Sequence, residues 1–372
     1  MRRMAGECHL EELPQEILLA IYSDLEESGT RNDLQNLAYT CNRLYSIGQQ
    51  FLLADISLTW ELLDALYLQL NYSLRNVSSY IRSLSIIVPS SWGEWHRLEV
   101  LQCILDSCVN LSKLSIVLAG SSKWIHYLRP IRTVRELTLI SNQASADPAL
   151  FDTVDLHAFQ AVEILHLNYF RLQCEYPIEE RATPLLLKVK DLEVVNCEWN
   201  YPFSLSLFKN LRNLSVQYSI KCEAFTFSER LKNLAVNPPT TIETFVLHLN
   251  LFSQVRQKTW YPILQNCIYL RFLSLKGFRY PAAEFFASIP PKLEEIELHM
   301  TPRNYIALAQ SGGIDTGMWG LIGSNGLGTG GYGVQEDRNF RNGSEHGRML
   351  NKYGDTKVRV VMHSWPEGDN PI

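Results

Sequence analysis

The chain has 372 residues, of which 46% are apolar and 20% charged, and its formal charge is −5 at pH 7. This is globular rather than disordered composition, and the length fits two or three domains or one elongated repeat array. No run of Lys and Arg supplies the basic stripe that phosphate-backbone binding needs, so nucleic acid is not an expected partner.

The opening MRRMAGECHLEEL has no apolar h-region, and the longest uninterrupted apolar run, Ile17 to Tyr22, falls far short of a membrane span. A protein of the cytoplasm or nucleus with no membrane partner is expected. Eight cysteines stand at 8, 41, 103, 108, 174, 197, 222 and 267 without a C-x-x-C pair, so neither a disulfide framework nor a zinc site is expected. Several fall at apolar positions, as buried reduced thiols do.

The first element expected is a helix in LPQEILLAIYSDL, residues 13 to 25, with Pro14 at its first position and Ile17, Leu18, Ile21, Tyr22 and Leu25 on one apolar face. After a break at EESGT, Asp33 can cap a second helix carrying Leu34, Leu37, Ala38 and Cys41. Asn42 can cap a third with Leu44, Ile47, Phe51 and Leu52. Three short helices bury little surface among themselves, so a partner is one way to cover the remainder.

The spaced residues of LPQEILLAIYSDL and DLQNLAYTCNRLYSIGQQFLLADISL resemble the F-box: a Leu-Pro-x-Glu-Ile-Leu opening, an Asp-Leu-x-x-Leu centre and a Cys-x-x-Leu-Tyr close. The resemblance covers residues 10 to about 56, with a somewhat long first link and Asn42 ahead of Arg43 as departures. It implies docking onto a Skp-type adaptor through Leu13, Pro14, Ile17, Leu18, Ile21, Leu34, Leu37, Cys41 and Leu44. The same nine could instead close a helical subdomain on itself.

Beyond residue 56 the pattern apolar-x-x-apolar-x-apolar recurs nine times, starting at 81, 111, 134, 162, 189, 211, 242, 270 and 293. Helix-like stretches such as LEVLQCILDSC and WYPILQNC lie between copies, which is the signature of leucine-rich repeats: one strand and one helix per unit, each burying its neighbour's apolar edge. LKNLAV at 231 is too close to the next copy and fits a helix of the convex side. The expected fold is therefore α/β, with a three-helix F-box followed by an irregular leucine-rich-repeat solenoid, its curved parallel sheet inside and helices outside. An F-box followed by such repeats resembles substrate receptors of SCF-type ubiquitin ligases, particularly the large fungal group. That resemblance implies a non-enzymatic subunit of the ubiquitin-conjugation pathway, linked through its adaptor to cullin and RING subunits, with an unidentified target protein on the repeats. A ligase-independent repeat scaffold is the alternative.

Enzyme signatures are not expected to carry function. GLGTGG at 326–331 matches Gly-x-Gly-x-x-Gly, but neither a strand precedes it nor a helix follows, and twelve of the twenty glycines lie between 312 and 347. A flexible insertion over 311–347 is expected, with no cofactor and no metal. His166, His248 and His299 fall at outward strand positions as contact or solvated residues. The domains expected are 1–56 for the F-box, 57–310 for the repeats, 311–347 for the insertion and 348–372 for a capping strand and tail.

Strand register places Ser85, Ser115, Thr138, His166, Glu193, Ser215, Val246, Ser274 and Glu297 on the open face of the sheet. The segments after the strands carry aromatics: Trp92, Trp95, Trp124, Tyr169, Phe170, Trp199, Tyr201, Tyr218, Phe278 and Tyr280. They are the candidate target-binding residues if gathered on one rim, and core filling if tucked under their own loops.

Overall fold

The computed structural model describes residues 10, 13–72, 77–89, 95–120, 122–142, 149–173, 188–199, 205, 208–218, 240–249, 261–276, 290, 292–300, 344–351 and 354–362. The chain divides into two compact units, one of residues 1–146 with 155–162 and the other of 147–154 with 163–372.

The first unit opens with three helices, α1 (Gln15–Ser28), α2 (Arg31–Ala38) and α3 (Asn42–Leu52). The caps of α2 and α3 sit three residues and one residue before the expected ones. Pro14 precedes α1 in an extended conformation. Thr30, not Asp33, caps α2, because Thr30 and Asp33 exchange side-chain-to-backbone bonds and so satisfy two orphan donors at once. Cys41 caps α3 through its sulfur, which leaves Asn42 as the first helical residue. Leu18, Tyr22, Leu34, Ala38 and Leu44 fill the interior between the three helices. The Tyr22 hydroxyl donates to the Leu44 carbonyl at 2.9 Å, and its ring stacks on Phe51 at 5.3 Å.

No break follows residue 56. Arg31 donates to the carbonyls of Asp55 and Leu52, fastening α2 to a strand, β1 (Asp55–Thr59). β1 is a tenth copy of the repeat pattern, Leu53-Ala54-Asp55-Ile56-Ser57-Leu58, hidden in sequence by its overlap with the helical motif. It pairs in parallel with β2 (Ser83–Val88), which pairs with β3 (Lys113–Leu118), which pairs with β4 (Glu136–Ser141). Two helices interrupt the strands, α4 (Leu63–Tyr72) and α5 (Trp95–Ser107), and α5 buries Leu98, Leu101, Ile104 and Leu105.

The second unit carries a parallel ladder β6 (Ile164–Asn168), β8 (Asp191–Val195), β10 (Asn213–Tyr218), β11 (Thr244–Leu249), β12 (Phe272–Lys276) and β13 (Glu295–Met300). β15 (Gly354–Met362) adds in parallel to β13, and β14 (Ser344–Asn351) adds antiparallel to β15. β14 takes up 344–347, the last four residues of the expected insertion. Its residues 311–343, and LKNLAV at 231, lie outside the described residues.

A second small sheet joins β5 (Ala149–Asp152), β7 (Phe170–Gln173) and β9 (Glu198–Trp199). The main chain turns from β6 into β7 at Tyr169 and from β8 toward β9 at Asn196, both left-handed with φ of 63° and 53°. They occupy equivalent repeat positions, and the side chain of Asn tolerates that region better than most.

All nine repeat motifs form strands that begin at the third motif position. Alternate strand residues, such as Leu84 and Ile86, Leu114 and Ile116, and Leu137 and Leu139, are fully buried. Each contributes roughly 1.5–3 kcal/mol of apolar burial. Helices at the N-terminus followed by one parallel strand per repeat make the chain an α/β, leucine-rich-repeat type of fold.

Candidate functional site

Two surfaces are assembled from the residues singled out in the sequence. On the N-terminal helices the nine adaptor candidates divide by burial. Leu18, Leu34 and Leu44 are interior residues in contact with one another, so they shape the surface from beneath and do not form it. Leu13, Ile21, Leu37 and Cys41 are half-buried, whereas Pro14 is exposed and Ile17 is 49% exposed. Arg43 donates to the Leu13 carbonyl at 2.9 Å and so holds the start of α3 beside the start of α1. Tyr39 and Tyr45, absent from the nine, stack on each other at 6.0 Å with 68% and 39% of their surface open. Their signal in the sequence is that both fall off the apolar helical face while remaining large and aromatic.

Of the ten loop aromatics, five have described side chains, and three of those five, Trp124, Phe170 and Tyr218, are buried. Trp124 is buried against Trp60, with ring centroids 5.7 Å apart. Phe170 is buried on Phe151, and Tyr218 is buried with its hydroxyl donating to the Cys197 carbonyl at 2.8 Å. Phe170 is drawn into the core as the first residue of β7 in the β5–β7–β9 sheet, Tyr218 ends β10, and Trp124 sits in a short 3-10 turn of the first unit. The Cys197 sulfur joins this packing, accepting the Phe170 N–H and donating to the Leu167 carbonyl. Tyr169 stays half-exposed, and Trp95 is 56% exposed at the start of α5 with its ring edge-on to Tyr127. Trp92, Tyr201, Phe278, Tyr280 and the Trp199 side chain lie outside the described residues.

The open face follows the expected register. Ser57, Ser85, Ser115 and Thr138 form one cross-strand row in the first unit. His166, Glu193, Ser215, Val246, Ser274 and Glu297 form one in the second. All the expected open-face residues are half-exposed except Ser274, which is 2% exposed because it lies beneath its neighbours. His248 Nε2 sits 2.9 Å from its hydroxyl, and that hydroxyl donates to Glu297 at 3.2 Å. His299 pairs with Glu297 and packs edge-on to His248 at 4.9 Å. His166 Nδ1 lies 2.7 Å from Glu193, and this bond holds the Glu193 carboxyl below its usual range despite partial burial. Gln217 donates to the other oxygen of Glu193. Among the described residues no group of three or more His, Cys, Asp or Glu is placed to hold a metal ion.

A charged edge also emerges in the second unit, at the second position of each of its motifs. Glu163 pairs with Lys190 at 2.6 Å, Arg212 with Glu243 at 3.7 Å and Arg271 with Glu294 at 2.7 Å. Exposed pairs of this kind contribute about 0–1 kcal/mol each, so their role in stability is small.

No protein-family model matches the chain, and no curated protein matches it. Among solved structures, InlP of Listeria monocytogenes is similar at 13% identity and a TM-score of 0.34 over 64% of this chain. This chain spans 63% of InlP's length. A structure of the Rad7 and Elc1 complex in yeast is similar at 14% identity and a TM-score of 0.29, covering 80% of this chain and 85% of that one. At those scores neither likeness bears on what this chain does. Among the described residues no helix is long and apolar enough to cross a membrane.

Proposed function

We propose that the chain is a non-enzymatic substrate-recognition subunit of an SCF-type ubiquitin ligase, working in the cytoplasm or nucleus. Its N-terminal helices dock a Skp-type adaptor, through which cullin and RING subunits are reached, and its repeat strands hold the target protein. The observation that supports this most is the pattern of exposure on the helices. Their interior is already filled, yet Ile17, Tyr39 and Tyr45 keep 49%, 68% and 39% of their surface in solvent. Large side chains left open on and beside short helices suit a partner's surface better than water. The F-box resemblance of the same segment names the adaptor.

A ligase-independent repeat scaffold is the second reading. It is favoured by the way Leu18, Leu34 and Leu44 close the helices on themselves without a partner. Co-purification separates the two. Wild-type chain should retain a Skp-type adaptor, Ile17→Asp should lose it, and Ile268→Asp, equally exposed but on the repeats, should keep it. An adaptor absent from all three samples favours the scaffold.

A further inference from the structure

The open face of the second unit carries a further cross-strand row toward the C-terminal ends of its strands, Gln217, His248, Lys276 and His299 on β10 to β13. All four side chains are half-exposed. Arg171, Lys190, Arg212 and Arg271 of the same unit each meet a carboxylate, at 3.0, 2.6, 3.7 and 2.7 Å. Lys276 differs. It has no ion pair or hydrogen bond among the described residues, and its register neighbours on both sides are histidines. A lysine part-buried on a sheet face normally has a partner.

Glu297, two residues before His299, is turned to other partners. It accepts from the Ser274 hydroxyl at 3.2 Å and pairs with His299 Nε2. Because the Ser274 proton goes to Glu297, the Ser274 oxygen accepts from His248 Nε2. Both flanking imidazoles thus direct Nε2 into a network that Ser274, 2% exposed, ties beneath the surface. With strands about 4.8 Å apart and a rise of about 3.3 Å per residue, the backbones of Glu297 and Lys276 are roughly 8 Å apart. Glu295, two residues further back, is more distant still. An anion touching the Lys276 ammonium is attracted at close range and repelled from further off, so the attraction dominates.

We propose that Lys276 anchors a carboxylate-binding site, filled by an acidic side chain or the C-terminus of a partner protein. This rests on the reading that the repeat strands hold a target and names the chemistry of that contact; adaptor docking does not enter it. A single ammonium matches one negative charge. A phosphate dianion gains attraction in proportion to its charge, but the hydration it gives up grows as the square, so a phosphorylated residue is the poorer fit.

Ligand-observed NMR titration of the full chain tests it. Nα-acetyl-glutamate N-methylamide is the side-chain probe and N-acetyl-alanyl-alanine the terminal one. The glutamine and phosphoserine analogues of the first, and acetate, are the comparisons. A carboxylate probe should bind wild type, the tighter of the two identifying the source, and the glutamine analogue should not. Lys276→Met, which keeps the stem, should weaken binding about tenfold or more, and Lys276→Arg should retain it. Lys209→Met, at an exposed lysine ahead of β10, should change nothing. Glu297→Gln, which leaves an acceptor for Ser274 and His299, should tighten binding about two- to fivefold. Circular dichroism confirms that each variant is folded. Failure of both carboxylate probes to bind, undiminished binding in Lys276→Met, weaker binding in Glu297→Gln or equal binding of the glutamine analogue would overturn the site. Tighter binding of the phosphoserine analogue would overturn the match to one charge, and equal affinity for acetate the assignment to a protein carboxylate. Co-purification of the adaptor, read through Ile17→Asp, is independent of all these outcomes.

Discussion

Gly48→Ala probes the packing on which the helical surface stands. Gly48 lies in α3 against the buried Tyr22, and a Cβ there would come within 2.7 Å of Tyr22 Cζ and its hydroxyl oxygen. Ordinary carbon contacts lie at about 3.5–4 Å, so something must move. The ring has little freedom, being stacked on Phe51 and bonded to the Leu44 carbonyl. Burial also pushes the Tyr22 phenol up to about 12, so it remains a protonated donor throughout the neutral range. Overpacking costs about 1–3 kcal/mol and a displaced hydroxyl bond about 1 kcal/mol, while alanine's helical preference returns about 1 kcal/mol. The net is a loss of about 1–3 kcal/mol. Native-state amide exchange should then show protection across α1–α3 reduced about 5- to 150-fold. Adding Tyr22→Leu should cost less than additively, since leucine vacates the contested space. Unchanged or increased protection in Gly48→Ala would refute the packing on which the docking surface is argued to rest.

Three further outcomes follow from the interior. Trp60 and Trp124 each bury an indole N–H without a partner among the described residues. Trp124→Phe should therefore cost under about 1 kcal/mol in thermal unfolding, against about 3–5 kcal/mol for Trp124→Ala; equal losses would mean the N–H is bonded. Desolvation pushes the Cys108 thiol up to about 11 and those of Cys197 and Cys267 up to about 12. At about pH 8 all three are protonated and enclosed, so iodoacetamide should spare them until the protein unfolds, and mass mapping of early modification at any of them would contradict this. Glu193, whose carboxyl is lowered chiefly by the His166 hydrogen bond, stabilises the fold above its unfolded value near 4.5, and that contribution is lost as pH falls through the lower folded value. The melting-temperature gap between wild type and Glu193→Gln should be present near neutrality and close toward about pH 3; a gap that persists in acid would exclude the linkage.

The repeat strands were legible because alternation of buried and open residues has a fixed period, and each motif carries two or three apolar anchors in the same places. β1 escaped because its copy of the pattern begins at Leu53, directly after the Leu52 that closes the third helical face and inside the segment that resembles the F-box. β14 escaped because Ser344–Asn351 has little apolar content and no apolar alternation to mark a strand. Side-chain direction was the larger gap in the candidate site. Helical periodicity identified Ile17, Leu18, Leu34 and Leu44 as one class, but only packing separates the exposed Ile17 from the three interior leucines. The loop aromatics went the same way. Nothing in their composition announced the left-handed turns at Tyr169 and Asn196, or the small sheet that buries Phe170. The charged edge was visible all along at the second motif position, where Glu163, Lys190, Arg212, Glu243, Arg271 and Glu294 follow one another, although which neighbours pair depends on the stacking of repeats.

Docking by the exposed helical surface is tested most directly by mass. The purified chain, mixed with a purified Skp-type adaptor, is passed through size exclusion with light scattering, and Ile17→Asp is run beside it. A buried isoleucine contributes roughly 1.5–3 kcal/mol, and a carboxylate in its place adds a desolvation cost, so the variant should lose most of its affinity. The account predicts a single peak with the mass of one chain plus one adaptor for wild type, and two separate components for Ile17→Asp. Separate elution of the wild-type chain and adaptor, or an undiminished complex with Ile17→Asp, would contradict it.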